Sequence, residues 1–213
     1  MDNNLEMNLV KGQRISLERA DGSKIEEFCM GVNWGAIKAS DGETIDVGLD
    51  LNCIFIDENN EICDNLDWAE EISENEMETD DGAVQIPKED TTGDLDGDDG
   101  LDNETITVNL SKIDGNVAQI FFSLNLIEEM DNLGEKDFSQ IPYVKIRIYE
   151  GETEKLFARF DVANKEYYGK RAFIIGKLIK NGINWEFQSI GDPTDDNNIG
   201  ETIERIRKSY LQP

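Results

Sequence analysis

Residues 171–191 read RAFIIGKLIKNGINWEFQSIG, two apolar-rich runs joined at Asn181-Gly182. Asn-Gly between such runs is the favoured two-residue turn of a β-hairpin, because both residues tolerate the positive φ that a tight connection needs. The spacing therefore predicts an antiparallel hairpin, RAFIIGKLIK against INWEFQSIG.

Working outward, the same grammar recurs. Before the hairpin stand KLFARFDV, opened by Gly151, and a run in which Val144, Ile146 and Ile148 alternate with Tyr143, Lys145, Arg147 and Tyr149. Residues 117–124 are nearly all apolar, and in ETITVNL the residues Ile106, Val108 and Leu110 share one face. IDVGLDLNCIFID sets Leu49, Leu51, Cys53 and Phe55 against Asp50, Asn52 and Ile54, while Phe28, Met30 and Val32 share another strand face. MNLVKGQRISL predicts two short strands around Lys11-Gly12-Gln13, and GAVQI (82–86) a further one. Turn signals fall at 20–23 and 40–42.

Helix is expected only at the margins. A short helical piece is predicted over 124–130. Residues 192–198 read as a polar linker, after which Ile199, Ile203, Ile206 and Tyr210 recur at helical spacing and predict an amphipathic helix over 199–211. Nine or ten short strands without the helices of βαβ units predict an all-β fold, a two-sheet antiparallel β-sandwich with a short C-terminal helix, in one domain spanning 1–213. Trp34 and Trp185 read as core or sheet-covering residues.

Charge is the second signal. The chain has 20 basic and 47 acidic residues, formal charge −27. Residues 57–104 hold 20 of the acids and a single base, Lys88, so the excess belongs to one region. Such a surface is poorly suited to nucleic acid or anionic membrane and leaves divalent cations and basic partners. Residues 58–81 are acidic and without clear period; Ile62, Leu66, Trp68 and Ile72 could dock them on a sheet, or they form a loop with a helical turn.

Within that region, residues 90–104 read DTTGDLDGDDGLDNE: six aspartates, one glutamate and three glycines in fifteen positions. Carboxylates so dense repel one another unless a cation sits among them, and oxygen donors on a glycine-kinked loop suit a hard divalent ion such as Ca²⁺. The alternative is a solvated acidic loop. An EF-hand does not fit: starting at Asp94 puts Asp99 at the glycine position and Thr105 at the bidentate glutamate.

The sequence has no histidine, which removes the commonest general base and transition-metal ligand. Cys29, Cys53 and Cys63 form no CxxC pair, and the first two sit in apolar strand patterns, as expected of buried thiols in a reducing, cytoplasmic setting. Neither a secretion signal nor an apolar run of membrane-spanning length is read.

LVKGQRISL, GVNW, DVGLDLNCIFID, TGDLDGDDGLDNETITVNLSKI, DFSQIPYVKIRIYE and INWEFQSIG occur in an order that resembles the TerD family of tellurium and stress resistance proteins, over nearly the whole chain. The resemblance implies a calcium-binding β-sandwich without catalytic activity, acting with other stress-resistance proteins of the same system. It implies a cation site built from the segment Gly48-Leu49-Asp50 and the loop. The matching ligands would be Asp50, Asp90, Asp94, Asp96, Asp98, Asp99, Asp102 and Glu104, in a register that is open between Asp98-Asp99 and Asp102-Asn103-Glu104. Two positions depart from the family pattern: Gly48 stands where the first aspartate of Asp-Leu-Asp belongs, and Gly35 where an aspartate follows the tryptophan. A backbone carbonyl, water or Asp46 could stand in. Two further readings stay open, an acidic scaffold that recruits a basic partner with metal incidental, and a carboxylate-based hydrolase.

Overall fold

A computed structural model describes residues 10–19, 21–66, 78–79, 82–85, 90–127, 136–163 and 165–211. The strands are Arg14–Ser16 (β1), Glu27–Trp34 (β2), Ile37–Lys38 (β3), Thr44–Ile45 (β4), Leu49–Asp57 (β5), Ile62–Leu66 (β6), Val84–Gln85 (β7), Glu104–Asn109 (β8), Val117–Leu126 (β9), Val144–Glu150 (β10), Leu156–Asp161 (β11), Ala172–Asn181 (β12) and Asn184–Thr194 (β13). One helix, Ile199–Ser209 (α1), follows.

The strands form a six-stranded sheet in the order β1-β13-β12-β9-β5-β6, a five-stranded sheet in the order β11-β10-β2-β8-β7, and a small β3-β4 ladder. Every named pair is antiparallel. The two large sheets close on one apolar core, where Phe28 packs on Phe122 and Phe187 with ring centroids 5.5 and 5.8 Å apart. This is the antiparallel sandwich the strand pattern predicts.

A third layer explains why β5 is buried on both faces. Its Leu49, Leu51, Cys53 and Phe55 enter the core between the sheets. Ile54 and Ile56 instead join Phe121, Ile174 and Ile190 beneath Ile206 of α1. The helix starts where Asn198 caps it, accepting a hydrogen bond from the Glu201 amide at 3.0 Å.

Three local expectations are corrected. The β12–β13 register pairs Asn181 with Asn184, so the connecting residues are Gly182 and Ile183, one place later than Asn-Gly predicts. Gly182 has φ +62° and Ile183 is not left-handed, which suits a turn that needs glycine only at its first central position. Residues 124–126 are strand rather than helix, because β5 and β12 both hydrogen-bond to them; residues 128–130 lie outside the described set. Residues 192–194 extend β13 instead of forming linker. The first of the two strands around Lys11 falls on residues 7–9, outside the described set, and Val10 beside it is exposed.

In the acidic segment, residues 62–66 form β6, an edge strand the composition conceals. Trp68, Ile72 and Ile86 fall outside the described residues. Trp34, Trp185, Cys29 and Cys53 are buried as expected, and Cys63 is exposed.

Candidate metal centre

The acidic loop is fastened to the end of β2 by backbone. The Asp94 amide donates to the Trp34 carbonyl at 2.9 Å, the Ala36 amide to the Asp94 carbonyl at 3.1 Å, and the Asn103 amide to the Val32 carbonyl at 2.8 Å. Trp34 is the post on which the loop turns. Its own amide donates to Asn103 Oδ1 at 2.8 Å and its Nε1 to the Val47 carbonyl at 2.6 Å. Gly93, at φ +67°, lies flat on the indole: a Cβ there would fall 2.5 Å from the ring. Only glycine permits both that φ and that approach.

Three acidic groups meet where this loop reaches the start of β5. Glu104 is 2% exposed. Its Oε2 accepts from the Leu51 amide at 2.9 Å and its Oε1 from the Asp90 amide at 3.3 Å. Burial, reinforced by the charges of Asp50 and Asp90, pushes the Glu104 carboxyl up to about 8. Among the described residues both of its hydrogen bonds come from backbone N–H groups and no basic side chain neutralises it.

Asp90 has the opposite character. Burial pushes its carboxyl up, but hydrogen bonds from the Thr92 and Gly93 amides, Asn103 and the Thr92 hydroxyl outweigh that and hold it below the usual range. Asn103 Nδ2 also donates to Asp94 Oδ1 at 3.2 Å, tying Asp94 to Asp90. Asp94 Oδ2 further accepts from Asn33 at 3.1 Å and the Tyr143 hydroxyl at 2.8 Å. Burial first, then the bond to Asp94, pushes that phenol up, so it stays a donor.

The other four predicted ligands lie apart. Asp102 is gripped by Arg147 through Nε at 2.8 Å and Nη2 at 2.7 Å, and Asp98 by Lys145. Asp99 accepts from the Leu101 amide at 2.8 Å in a local turn, and both it and Asp96 are exposed. The structure thus gathers Asp50, Asp90 and Glu104, with Asp94 linked through Asn103, while Asp98 and Asp102 turn toward β10. Among the described residues no three acidic or cysteine side chains stand close enough to hold an ion as placed.

The two glycine departures have structural counterparts. A Cβ on Gly35 would lie 2.6 Å from the Tyr143 ring, so the tyrosine fills the space beside it and hydrogen-bonds Asp94. Gly48 faces Ile127 and the Thr91 carbonyl, at 3.1 and 3.5 Å from its would-be Cβ.

Sequence reasoning missed Asn33, Tyr143 and the loop-bearing part played by Trp34. They are neutral side chains whose only early signal is the GVNW segment and the alternation beginning at Tyr143.

A two-sheet sandwich with an acidic loop docked on one strand end by a tryptophan defines an all-β acidic module with an oxygen-rich junction. The TerD domain family model matches residues 5–205, and the chain belongs to that family of tellurium and stress resistance proteins. It is 24% identical over 206 residues to the stress response protein SCP2 of Bacillus subtilis (strain 168), covering 93% of this chain and 98% of the relative. It is 27% identical over 191 residues to the tellurium resistance protein TerZ of Serratia marcescens, covering 87% and 89%. Among solved structures, a homologue of the telluride resistance protein TerD from Streptomyces coelicolor A3(2) superposes with TM-score 0.62 at 14% identity, covering 88% of this chain and 98% of the other. No helix among the described residues is long and apolar enough to cross a membrane.

Proposed function

We propose that this protein is a calcium-binding, non-catalytic module of a cytoplasmic tellurite and chemical-stress resistance system, whose acidic loop is ordered by Ca²⁺ and then presents a surface to partner proteins. The observation that carries the reading is Glu104: a carboxyl buried to 2% exposure beside Asp50 and Asp90, hydrogen-bonded among the described residues by backbone alone. A buried carboxyl among like charges is costly without a counter-ion, and an all-oxygen donor set suits a hard divalent cation. The donor chemistry of this chain suits such an ion: Glu104, Asp90 and Asp50 would hold it after closing from their present separation, with Asp94 drawn in through Asn103. Bound there, the cation supplies positive charge that removes the mutual repulsion of the junction. The residues themselves do the rest, Trp34 fixing the loop's path and Asn103 aligning two of its carboxylates.

A catalytic part for Glu104 is less well supported, because an acid catalyst must reach a substrate and this carboxyl is closed in by the Leu51 and Asp90 amides. The family's tellurium and stress resistance relatives support the physiological setting.

Calorimetry of metal-free protein with CaCl₂ tests the reading. We expect saturable binding, weakened about tenfold or more by Glu104→Gln and by Asp90→Asn, and less affected by Asp96→Asn at the exposed tip. Absence of heat at millimolar Ca²⁺, or equal binding by all three variants, rejects it.

A further inference from the structure

On the outer face of the five-stranded sheet a groove of about 410 Å³ runs between β10, β11 and the tip of the acidic loop. Its setting is unusual for a chain of charge −27. Lys145, Arg147 and Arg159 line it, balanced by Asp98, Asp102 and Asp161, so that locally the surface is neutral. Arg147 and Arg159 are directly opposed across the β10–β11 ladder, and like charges so placed destabilise a sheet. Arg147 spends Nε and Nη2 on Asp102, leaving Nη1 as a donor outside that pair. Lys145 stands over the Tyr143 ring, 5.2 Å from its centroid, and its Asp98 partner sits on the exposed loop.

Asn33 lines the same groove and supplies a second, independent observation. It is 4% exposed. Its Nδ2 donates to Asp94 and to the Leu101 carbonyl, both obligate acceptors, which fixes the amide's orientation. Its Oδ1 is buried and receives no hydrogen bond among the described residues. A buried acceptor without a donor costs free energy, and what satisfies it must bring an N–H or O–H.

We propose that this groove binds an oxyanion carrying its own O–H, of the phosphate class. Arg147, Arg159 and Lys145 meet the anionic oxygens, as guanidinium forks and an ammonium do. Asn33 Oδ1 accepts the proton of the O–H. The pairing is selective by construction: hydrogen phosphate and sulfate carry the same charge near pH 8, but only the former has a hydrogen to give. A site built to receive a hydrogen bond rejects an analogue that lacks it.

The test uses the full chain with a chelator present, which separates it from the calcium reading. Titrations with inorganic phosphate, methyl phosphate and sulfate at pH 8 are followed by backbone amide shifts of β10 and β11. We expect inorganic phosphate to bind roughly tenfold or more tightly than sulfate and than methyl phosphate, which at pH 8 is a dianion without a P–OH. Arg159→Gln, on an exposed position of the edge strand, should weaken binding about tenfold without lowering the melting temperature. Sulfate or methyl phosphate binding as tightly as inorganic phosphate, no binding of any of them at millimolar concentration, or an Arg159→Gln protein that folds and binds like the parent overturns the proposal.

Discussion

Ionising Glu104 places a charge in a site that is 2% exposed and flanked by Asp50 and Asp90, so the metal-free protein favours its neutral form. The folded carboxyl titrates at about 8 against 4.5 for the free group. Because the folded value is raised, the proton stabilises the native state. That contribution is complete below pH 4.5 and is lost as pH rises through about 8. The gap corresponds to on the order of 5 kcal/mol. Chemical denaturation of the chelated protein should show stability falling between pH 5 and 8, and Glu104→Gln should flatten that slope. A parent and variant with the same slope would mean that Glu104 is ionised throughout. The carboxyls held low, among them Asp90, Asp98 and Asp196, act in the opposite sense and only below pH 4, so they do not mask the effect. Residue types alone made Asp50, Asp90, Asp94 and Glu104 legible as candidates. They could not separate these from Asp98 and Asp102, because the separation depends on Lys145 and Arg147, more than forty positions away in the chain and adjacent only once β10 pairs with β2. Asn33 and Tyr143 stayed silent for a related reason: a neutral side chain announces a site only when the path of the loop is known.

At the scale of elements, periodicity succeeds where one face of an element is apolar and fails where backbone alone makes the contact. The helix α1 is legible from Ile199, Ile203, Ile206 and Tyr210, since three of these partly buried groups and fully buried Ile206 cover Ile54, Ile56 and Phe121. By contrast β6 pairs with β5 as an edge strand inside an acidic segment, where Ile62 packs on the apolar cluster but charged and polar neighbours hide the period of the strand. Residues 124–126 look ready to start a helix, but ladders on both sides hold them extended. If the helix is a true third layer, truncating its central contact should be expensive. Ile206→Ala, at a position with no exposed surface, should lower unfolding free energy by about 2–4 kcal/mol in urea titrations. A loss below about 1 kcal/mol would mean that α1 rests on the sheet without being packed into it. The polar side of the same helix is also tied down, as Arg205 meets buried Asp196 at 2.7 Å, so partial loss of apolar packing should not detach it.

Across the whole molecule, a formal charge of −27 opposes compaction, and any salt relieves part of that self-repulsion by screening. Stabilisation by calcium therefore proves nothing until screening is subtracted. The junction of Asp50, Asp90 and Glu104 predicts a component that ionic strength cannot reproduce, because ligand binding to the native state alone adds RT ln(1 + [L]/Kd), about 2.7 kcal/mol when the ion is at a hundredfold excess over its dissociation constant. Unfolding free energies in CaCl₂ and in NaCl of matched ionic strength isolate it. Both salts should stabilise the parent protein, CaCl₂ by roughly 2–3 kcal/mol more at saturation. Asp90→Asn removes one charge of 27, leaving general repulsion nearly intact, yet it takes away a donor at the junction and should erase most of the calcium-specific excess while keeping the NaCl response. Equal stabilisation by the two salts would reduce the acidic region to diffuse charge and shift the functional reading toward a scaffold for basic partners, whose association high salt weakens and a chelator leaves untouched.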